Sequence, residues 1–264
     1  MEAQEYDYIR RELLNLVDVD LSAYRSQQVQ RRLATYLLRS GHPNWPSFFR
    51  TVRDDPASLR KLKDYLTINV SAFFRDPEKY EHFKDTILPG LLHDCATLNV
   101  WSAGCSYGQE PYSLAITLSE INGSSHSHHI LATDFDQHAL EHARSGGPYS
   151  AAEVANVPAV LLKRYFISLP NGYQVKEDLQ RQITFRHHNL LENPSDGDGD
   201  FDLIVCRNVV IYFTVETKSQ LYRRFHDALR PGGVLFVGGT EIVSEAADIG
   251  LTPAGISFYR RRAD

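Results

Sequence analysis

The stretch NVWSAGCSYGQEPYSLA, residues 99–115, decides how the rest of the sequence is interpreted. A short apolar run leads into a turn of small residues, and a helical pattern follows with an acidic residue and a proline at its start. Strand, glycine-containing turn and helix in this order are typical of nucleotide-binding α/β folds. Gly104 and Gly108, however, lack the G-x-G-x-x-G spacing of a dinucleotide site. The stretch therefore predicts an α/β fold and leaves its ligand open.

Strand-like and helical patterns alternate downstream of residue 98. The strand patterns are LNVWSA, HILATDFD, FDLIVCRN, VLFVGG and GISFYRRR, and the helical patterns are EPYSLAITLSE, DQHALEHARSG and VETKSQLYRRFHDALRPGG. We expect the last of these helices to end at its Pro-Gly-Gly sequence. The alternation predicts parallel βαβ units in a doubly wound, Rossmann-like sheet.

Residues 146–186 interrupt this alternation. Pro170-Asn171-Gly172 lies between two β-rich runs there, which is a strong signal for a hairpin. We expect a small antiparallel β-subdomain inserted at about 146–186, after which the chain returns to the sheet near Phe185.

The first 66 residues show helical periodicity and no strand pattern. Four short helices are predicted, in DYIRRELLNLV, VQRRLATYLLRSG, NWPSFFRTVRDD and PASLRKLKDYL. Residues 1–66 therefore form an all-helical N-terminal domain. Residues 67–90 follow as a linker, called the strap from here on, in which Asp76-Pro77 predicts a helix start and Pro89-Gly90 a break. Residues 91–264 form the α/β domain.

Composition excludes several classes of protein. Residues 1–66 hold 11 basic and 9 acidic side chains, and the remainder of the 264-residue chain is acidic, so the basic stripe of a nucleic-acid-binding protein is missing. The apolar runs are too short to span a bilayer, and the first residues lack a secretion signal. Three cysteines without paired spacing indicate a reducing compartment, so we expect a cytoplasmic protein. His126, His128 and His129 have no carboxylate partner nearby in sequence, and no metal site is predicted.

Two acidic residues at predicted strand ends suggest the ligand. Glu110 starts the helix after the glycine turn, where a carboxylate repels phosphate and suits an amine or other cation. The alternative is that Glu110 merely interacts favourably with the helix dipole. Asp134 ends the second strand, where nucleotide folds bind ribose hydroxyls; the alternative, a helix cap, fits Asp136 better. S-adenosylmethionine is an adenosine that carries a sulfonium and no phosphate. It therefore offers a cationic ligand to Glu110 and ribose hydroxyls to Asp134.

The sequence CRNVVIYF follows the fourth strand of the α/β domain. Arg207 and Asn208 are placed there at the rim of the predicted adenosine site. Base and amide N-methyltransferases often have Asn-Pro-Pro-Tyr at this point, and its absence here disfavours methylation of nucleic-acid bases. Tyr212 lies four residues further on, either at the site or as a buried core aromatic.

Several linked motifs together resemble one known family. TINVSAFFRD, WSAGCSYGQEPYSLA, LATDFD, NLL, FDLIVCRNVVIYF and PGGVLFVGGTE occur in the order found in the chemotaxis receptor methyltransferase (CheR) family, over nearly the whole chain. The resemblance implies a helical N-terminal domain and a methyltransferase domain that carries a small β-subdomain. It also implies S-adenosylmethionine-dependent methyl esterification of glutamates on the cytoplasmic helices of chemoreceptors, with S-adenosylhomocysteine as product.

The resemblance further implies which residues contact the cofactor. These are Ala103 and Gly104 of the turn together with Asn69, Ser71, Arg75, Glu110, Asp134, Asn189, Leu190, Arg207 and Asn208. Gln109 departs from the family, in which a second acid is common at this position. Because a substrate glutamate is already ionised near neutral pH, no catalytic base is expected. Arg75 and Tyr212 are the candidates for orienting its carboxylate.

The resemblance also points to partners. Receptor methylation segments resemble acidic helices, and Arg31, Arg32 and Arg39 on the second helix form a candidate docking surface; the alternative is an ordinary solvated face. The hairpin in FISLPNGYQV is tight, which favours an enzyme that needs no receptor pentapeptide tether. We also expect a monomer. Two other functions stay open, a regulatory module that binds S-adenosylmethionine without turnover, and a methyltransferase acting on another carboxylate.

Overall fold

A computed structural model describes residues 1–67, 69–122, 128–192 and 199–263. The chain divides into two units. The helical unit comprises Met1–Asn69 and Tyr212–Lys218, and the sheet unit comprises Val70–Ile211 and Ser219–Asp264. None of the helices in the described ranges is long and apolar enough to cross a membrane.

The helical unit contains the four predicted helices. They are α1 (Ala3–Val17), α2 (Ser26–Ser40), α3 (Trp45–Val52) and α4 (Pro56–Thr67). Local signals set their ends: the Asn44 side chain accepts the Ser47 N–H at 2.9 Å before α3, and Gly41 ends α2 in the left-handed conformation. Their apolar stripes meet in a core that includes Ile9, Leu13, Leu33, Trp45, Phe49 and Leu62.

A distant segment of chain completes the helical unit. Tyr24 and Phe213 form an antiparallel β-bridge, and their rings pack edge to face with centroids 5.0 Å apart. The Arg25 N–H donates to the Tyr212 carbonyl, and the Thr214 N–H donates to the Ala23 carbonyl, both at 2.9 Å. Residues 212–218 thus belong to this unit, although sequence position alone placed them in the α/β domain.

The sheet unit has a seven-stranded mixed sheet and a separate hairpin. Its strands are β1 (Asn99–Ala103), β2 (His129–Asp134), β3 (Phe166–Leu169), β4 (Gly172–Val175), β5 (Ile183–His187), β6 (Phe201–Cys206), β7 (Leu229–Val237), β8 (Leu251–Gly255) and β9 (Phe258–Arg261). The large sheet has the order β5-β2-β1-β6-β7-β9-β8, and β3 and β4 form the hairpin. The first five strands in this order are parallel, and β9 pairs antiparallel with both β7 and β8. This confirms the Rossmann-like sheet, whose strand order reverses between β1 and β6.

The helices of the second half of the chain complete this architecture. They are α5 (Pro77–His82), α6 (Leu88–Asp94), α7 (Gln109–Asn122), α8 (Gln137–Ser145), α9 (Ala159–Tyr165), α10 (Glu177–Gln180) and α11 (Val215–Ala228), with a π-helical turn at Phe83–Ile87 between α5 and α6. The start of α5 after Asp76 and the return of β5 to the sheet agree with the sequence prediction.

Two predicted ends were wrong, and one strand was missed. Pro89-Gly90 does not break the chain's helical course. Helix α6 continues directly from the π-helical turn at Phe83–Ile87, in which the Leu88 N–H donates to the Phe83 carbonyl, one residue further back than in an α-helix. Pro231-Gly232-Gly233 does not end α11, which stops at Ala228. It lies inside β7, next to an irregularity in the pairing with β6. Strand β8 was not predicted from its sequence.

The strap is anchored to the sheet unit by two phenylalanines. Phe73 is wholly buried, with its ring 4.8 Å from that of Tyr149 and 5.1 Å from that of Phe166. The Phe73 N–H donates to the Glu153 carbonyl at 2.9 Å, and the Phe74 N–H donates to the Ser113 hydroxyl at 2.9 Å. The aromatic pair in NVSAFFRD therefore fixes where the following residues lie.

We predict that Phe73→Ala lowers the free energy of unfolding by about 3–5 kcal/mol, because it empties a closed aromatic site. Urea denaturation measures this loss. Ile167→Ala on the nearby hairpin is the matched control, since Ile167 is half exposed and its truncation should cost under about 1 kcal/mol. Equal losses in the two variants would contradict the anchoring role.

Candidate functional site

The turn after β1 lies against the end of β2. The N–H groups of Gly104 and Cys105 both donate to the Thr133 carbonyl, at 2.8 and 2.9 Å. Gly104 has φ +85°, and a Cβ there would lie 2.6 Å from a methyl group of Val209. Glycine is required for both reasons, since an L side chain would be strained and would collide. The turn thus leaves backbone open to close approach at the edge where α/β folds bind ligands.

Asp134 closes the turn from the end of β2. Its Oδ2 accepts the Ser106 N–H at 2.7 Å, and its Oδ1 accepts the Asp136 N–H at 2.9 Å. Burial raises the pKa of Asp134. The capping role falls to Asp136, whose carboxylate accepts the N–H groups at the start of α8. Asp134 is therefore not a helix cap, and its place beside the turn suits the binding of hydroxyl groups.

Glu110 starts α7 on the other side of the turn. Its Oε1 accepts the Ser102 hydroxyl at 2.8 Å. Burial raises the pKa of Glu110 to about 7, with Glu241 adding to the rise and Arg207 and Arg75 opposing it. A carboxyl group poised near neutrality binds a cation by giving up its proton.

Arg207 follows β6, and its guanidinium is turned toward the strap. The side chain is 2% exposed, and Nη2 donates to Asp76 Oδ2 at 2.6 Å and to the Arg75 carbonyl at 2.9 Å. The guanidinium also lies over the Phe236 ring, 4.7 Å from its centroid. The next residue, Asn208, has φ +61°, and within the described residues its buried Oδ1 has no hydrogen-bond partner. An unpaired buried amide oxygen at this edge can accept a hydrogen bond from a ligand.

The strap and the chain after β5 bring further predicted residues to this edge. Arg75 donates from Nη1 to the Val70 carbonyl at 3.1 Å and lies close enough to Glu110 to lower its pKa. Asn189 and Leu190 follow His188, whose N–H donates to the Asp134 carbonyl at 3.0 Å. Ser71 of the strap is half buried.

Other predicted residues belong to the helical unit. The Asn69 amide donates to the Thr67 hydroxyl at 3.2 Å, and the Tyr212 carbonyl accepts the Arg25 N–H. Their predicted roles in cofactor binding and catalysis stay predictions.

The three predicted docking arginines on α2 differ in exposure. Arg31 and Arg39 are exposed. Arg32 is half buried: its guanidinium donates to the Tyr65 carbonyl and lies over the Tyr65 ring, 4.8 Å from its centroid. Burial lowers the pKa of Arg32. The Arg32 side chain thus joins α2 to α4, and the exposed charge of this face comes from Arg31 and Arg39.

Two acidic residues of the site were missed. Glu241 is 6% exposed, and its Oε2 accepts the N–H groups of Asn208 at 3.0 Å and Gly238 at 2.6 Å. The sequence signal that could have identified Glu241 is its position just beyond the end of β7, where α/β folds bind ligands. Asp76 was interpreted only as a helix start.

Gln109, where the resemblance leads us to expect a second acid, is buried. It donates from Nε2 to Glu153 Oε1 at 2.8 Å, a contact that a second carboxylate could not make.

The histidines do not form a metal site in the described part of the chain. His126 lies outside the described residues. His128 is buried with Nδ1 accepting the Leu98 N–H at 3.1 Å, and His129 begins β2. No group of three metal-binding side chains occurs among the described residues.

The sheet, the phosphate-repelling acid and the acid at the end of β2 define a class, the Rossmann-like S-adenosylmethionine-dependent methyltransferases. Comparison with protein families agrees with this class. Residues 69–252 match "CheR methyltransferase, SAM binding domain", and residues 4–67 match "CheR methyltransferase, all-alpha domain". The chain belongs to the CheR methyltransferase family.

Whole-chain relatives support the same assignment. The chemotaxis protein methyltransferase of Listeria innocua is 38% identical over 97% of both chains. Chemotaxis protein methyltransferase 2 of Pseudomonas aeruginosa is 35% identical over 90% of this chain and 86% of its own. The chemotaxis protein methyltransferase of Borreliella burgdorferi is 30% identical over 87% and 84%. The chain is an S-adenosylmethionine-dependent methyltransferase of chemotaxis.

We predict that the affinity for S-adenosylhomocysteine falls as the pH falls through about 7, because Glu110 becomes protonated and loses its charge. Calorimetric titration between pH 6 and 8 measures this. Glu110→Gln should bind about tenfold more weakly at pH 8 and lack this pH step. Glu120→Gln, further along the same helix, should bind like the wild type. A pH step that survives in Glu110→Gln would exclude Glu110 as its source.

The same carboxyl group affects folding. The pKa of Glu110 is raised from 4.5 in the free side chain, so its contribution to stability is full below about pH 4.5 and lost as the pH rises through about 7. Glu110→Gln should therefore be the more thermostable protein at pH 8 in the absence of ligand. This gain should shrink toward pH 4.5, and a loss of thermostability at pH 8 would contradict it.

Proposed function

We propose that the chain transfers the methyl group of S-adenosylmethionine to glutamate side chains on the cytoplasmic helices of methyl-accepting chemotaxis receptors, forming methyl esters for adaptation. The observation that carries the proposal is a guanidinium placed beside a carboxyl of raised pKa. Within the described residues the Arg75 guanidinium makes one hydrogen bond, to the Val70 carbonyl, which leaves donors for a carboxylate, while Glu110 suits a cation. The site thus offers complementary charge to an anionic acceptor and a cationic donor.

The donor is held by groups on six segments of the sheet unit. Glu110 receives its ammonium group, Asp134 its ribose hydroxyls, and Gly104 with Ala103 admits it close to the backbone. Asn208 supplies the unpaired amide oxygen, and Arg75 pairs with the methionine carboxylate through its fork of donors. Asn189, Leu190 and Ser71 complete the site. Bound there, S-adenosylmethionine would supply an electrophilic methyl group. Its C–S bond would break, with the electron pair left on sulfur in S-adenosylhomocysteine, as a carboxylate oxygen formed the new C–O bond.

The residues of the chain contribute orientation more than proton transfer. A glutamate carboxylate with a pKa of about 4.3 in water is already ionised near neutral pH. Arg75 fixes its direction through the fork of guanidinium donors, and this alignment removes most of the entropic barrier to an in-line displacement. The reaction releases no proton at the acceptor and needs no base.

The partner is engaged by α2 of the helical unit. Arg31 and Arg39 are exposed on this helix, and Leu38 beside them is 83% exposed. Basic charge next to an apolar side chain suits an acidic amphipathic helix. The loop of the β3–β4 hairpin has only two residues, Pro170 and Asn171, which favours an enzyme that needs no receptor tether. We place this enzyme in the cytoplasm, where the receptor helices lie. We propose that it acts as a monomer.

Transfer of tritiated methyl groups to receptor-containing membranes tests the proposed function. We expect label on the receptor that base releases as methanol, because carboxyl methyl esters hydrolyse in base. Receptors whose methylation-segment glutamates are changed to alanine should stay unlabelled. Base-stable label would overturn the ester, label on another protein would change the substrate, and binding without transfer would make the chain a regulatory module.

We predict that Arg31→Glu with Arg39→Glu lowers kcat/KM for the receptor about tenfold at low salt and weakens its salt dependence. The affinity for S-adenosylhomocysteine should not change, since neither side chain belongs to the sheet unit. Arg50→Glu, an exposed arginine on α3, is the matched control. Arg32 is left intact because of its bonds to Tyr65. Equal effects in the control and the double variant would exclude α2 as the docking surface.

A further inference from the structure

We propose that Asp76 is a positioning residue: its ion pair with Arg207 fixes the strap so that Arg75 points into the cofactor site. The proposal gives Arg207 a different role from direct contact with the cofactor. It rests on the proposed function only for the role of Arg75, and its test uses binding of S-adenosylhomocysteine without any acceptor.

The bonds of Arg207 join two consecutive strap residues to the end of β6. One nitrogen, Nη2, donates to the Asp76 carboxylate at 2.6 Å and to the Arg75 carbonyl at 2.9 Å. Both bonds involve a charged donor, and such bonds are stronger than neutral ones. The backbone of Arg75 is thereby held on the side that faces β6, while its side chain lies near Glu110.

The guanidinium of Arg207 is itself immobilised. It lies over the rings of Phe236 and Tyr80, at 4.7 and 5.6 Å from their centroids, and its side chain is 2% exposed. Asp76 is 38% exposed, so the carboxylate is the partner that can leave for water. The arrangement pairs a buried cation with a partly exposed carboxylate of the strap.

The backbone of the strap needs such a restraint. Phe74 has φ +49° and Asp76 has φ +57°, values that non-glycine residues rarely adopt. Residues in this region cost free energy and persist when surrounding contacts hold them. The buried Phe73 anchors one side of this strained turn, and the Asp76–Arg207 pair holds the other.

A double-mutant cycle measures the coupling. Asp76→Asn should weaken S-adenosylhomocysteine binding about 5-fold, and Arg207→Met, which removes both strap bonds, about 20-fold. The double variant should bind within about 2-fold of Arg207→Met, because the Asp76 contact is already lost there. Arg207→Lys, which keeps one donor and the charge, should recover part of the affinity.

Two results would overturn the proposal. If Asp76→Asn binds like the wild type while Arg207→Met loses affinity, Arg207 acts on the site without Asp76, by direct contact with the cofactor or through the charge of Glu110. If the two effects multiply in the double variant, the residues act independently. Failure of the proposed function appears elsewhere, as binding without methyl transfer, and leaves this cycle interpretable.

The Arg230–Asp202 pair provides a matched control for stability. Its Nε–Oδ1 distance is 2.5 Å and Asp202 is buried, but Asp202 also accepts the Asn99 N–H at the start of β1, the opposite end of the strands from the site. Asp202→Asn should lower the melting temperature and leave the affinity unchanged. A loss of affinity in Asp202→Asn equal to that in Asp76→Asn would show that general destabilisation explains both.

Discussion

The buried guanidinium of Arg207 is the constraint on which the rest of the site depends. A charge removed from water must be paired and hydrogen-bonded, or its desolvation costs several kcal/mol. The strap supplies the partners, a carboxylate and a carbonyl from adjacent residues, and Phe236 supplies the ring beneath. Strap, β6 and β7 are therefore tied together at one point, at the edge where the strand order reverses.

Acidic groups crowd the same edge. Glu110, Asp134 and Glu241 all lie within or beside the proposed cofactor site, and burial raises the pKa values of Glu110 and Asp134. The turn contributes no cation, so the balancing charge comes from Arg207 and Arg75, and under the proposed function also from the bound donor. Buried carboxylates at this site reduce the stability of the fold and favour the binding of a cation. Functional sites commonly reduce stability in this way.

Much of the architecture could be predicted from local patterns. Helical periodicity gave the four helices of the helical unit, alternation gave the parallel strands, and Asn171-Gly172 gave the hairpin. The errors share one cause. Pro89 and Pro231 were taken as stops, yet one follows a π-helical turn within a continuous helical course and the other lies in an irregular part of β7. Whether a proline ends a helix or strand depends on whether the backbone N–H at that position would take part in a hydrogen bond of the element. The tertiary structure decides this through the pairing of strands and the packing of helices.

By itself, the sequence determined the class of fold, the glycine turn and the residue types of the site, because periodicity, small residues and charge are local properties. Only the tertiary structure decided which partners those residues take. Arg32 bonds to Tyr65, Glu241 holds Asn208, and residues 212–218 join the helical unit through Tyr24. These contacts join residues that lie 33 to 189 positions apart. Such pairings follow from how the elements pack and leave no periodic trace in the chain.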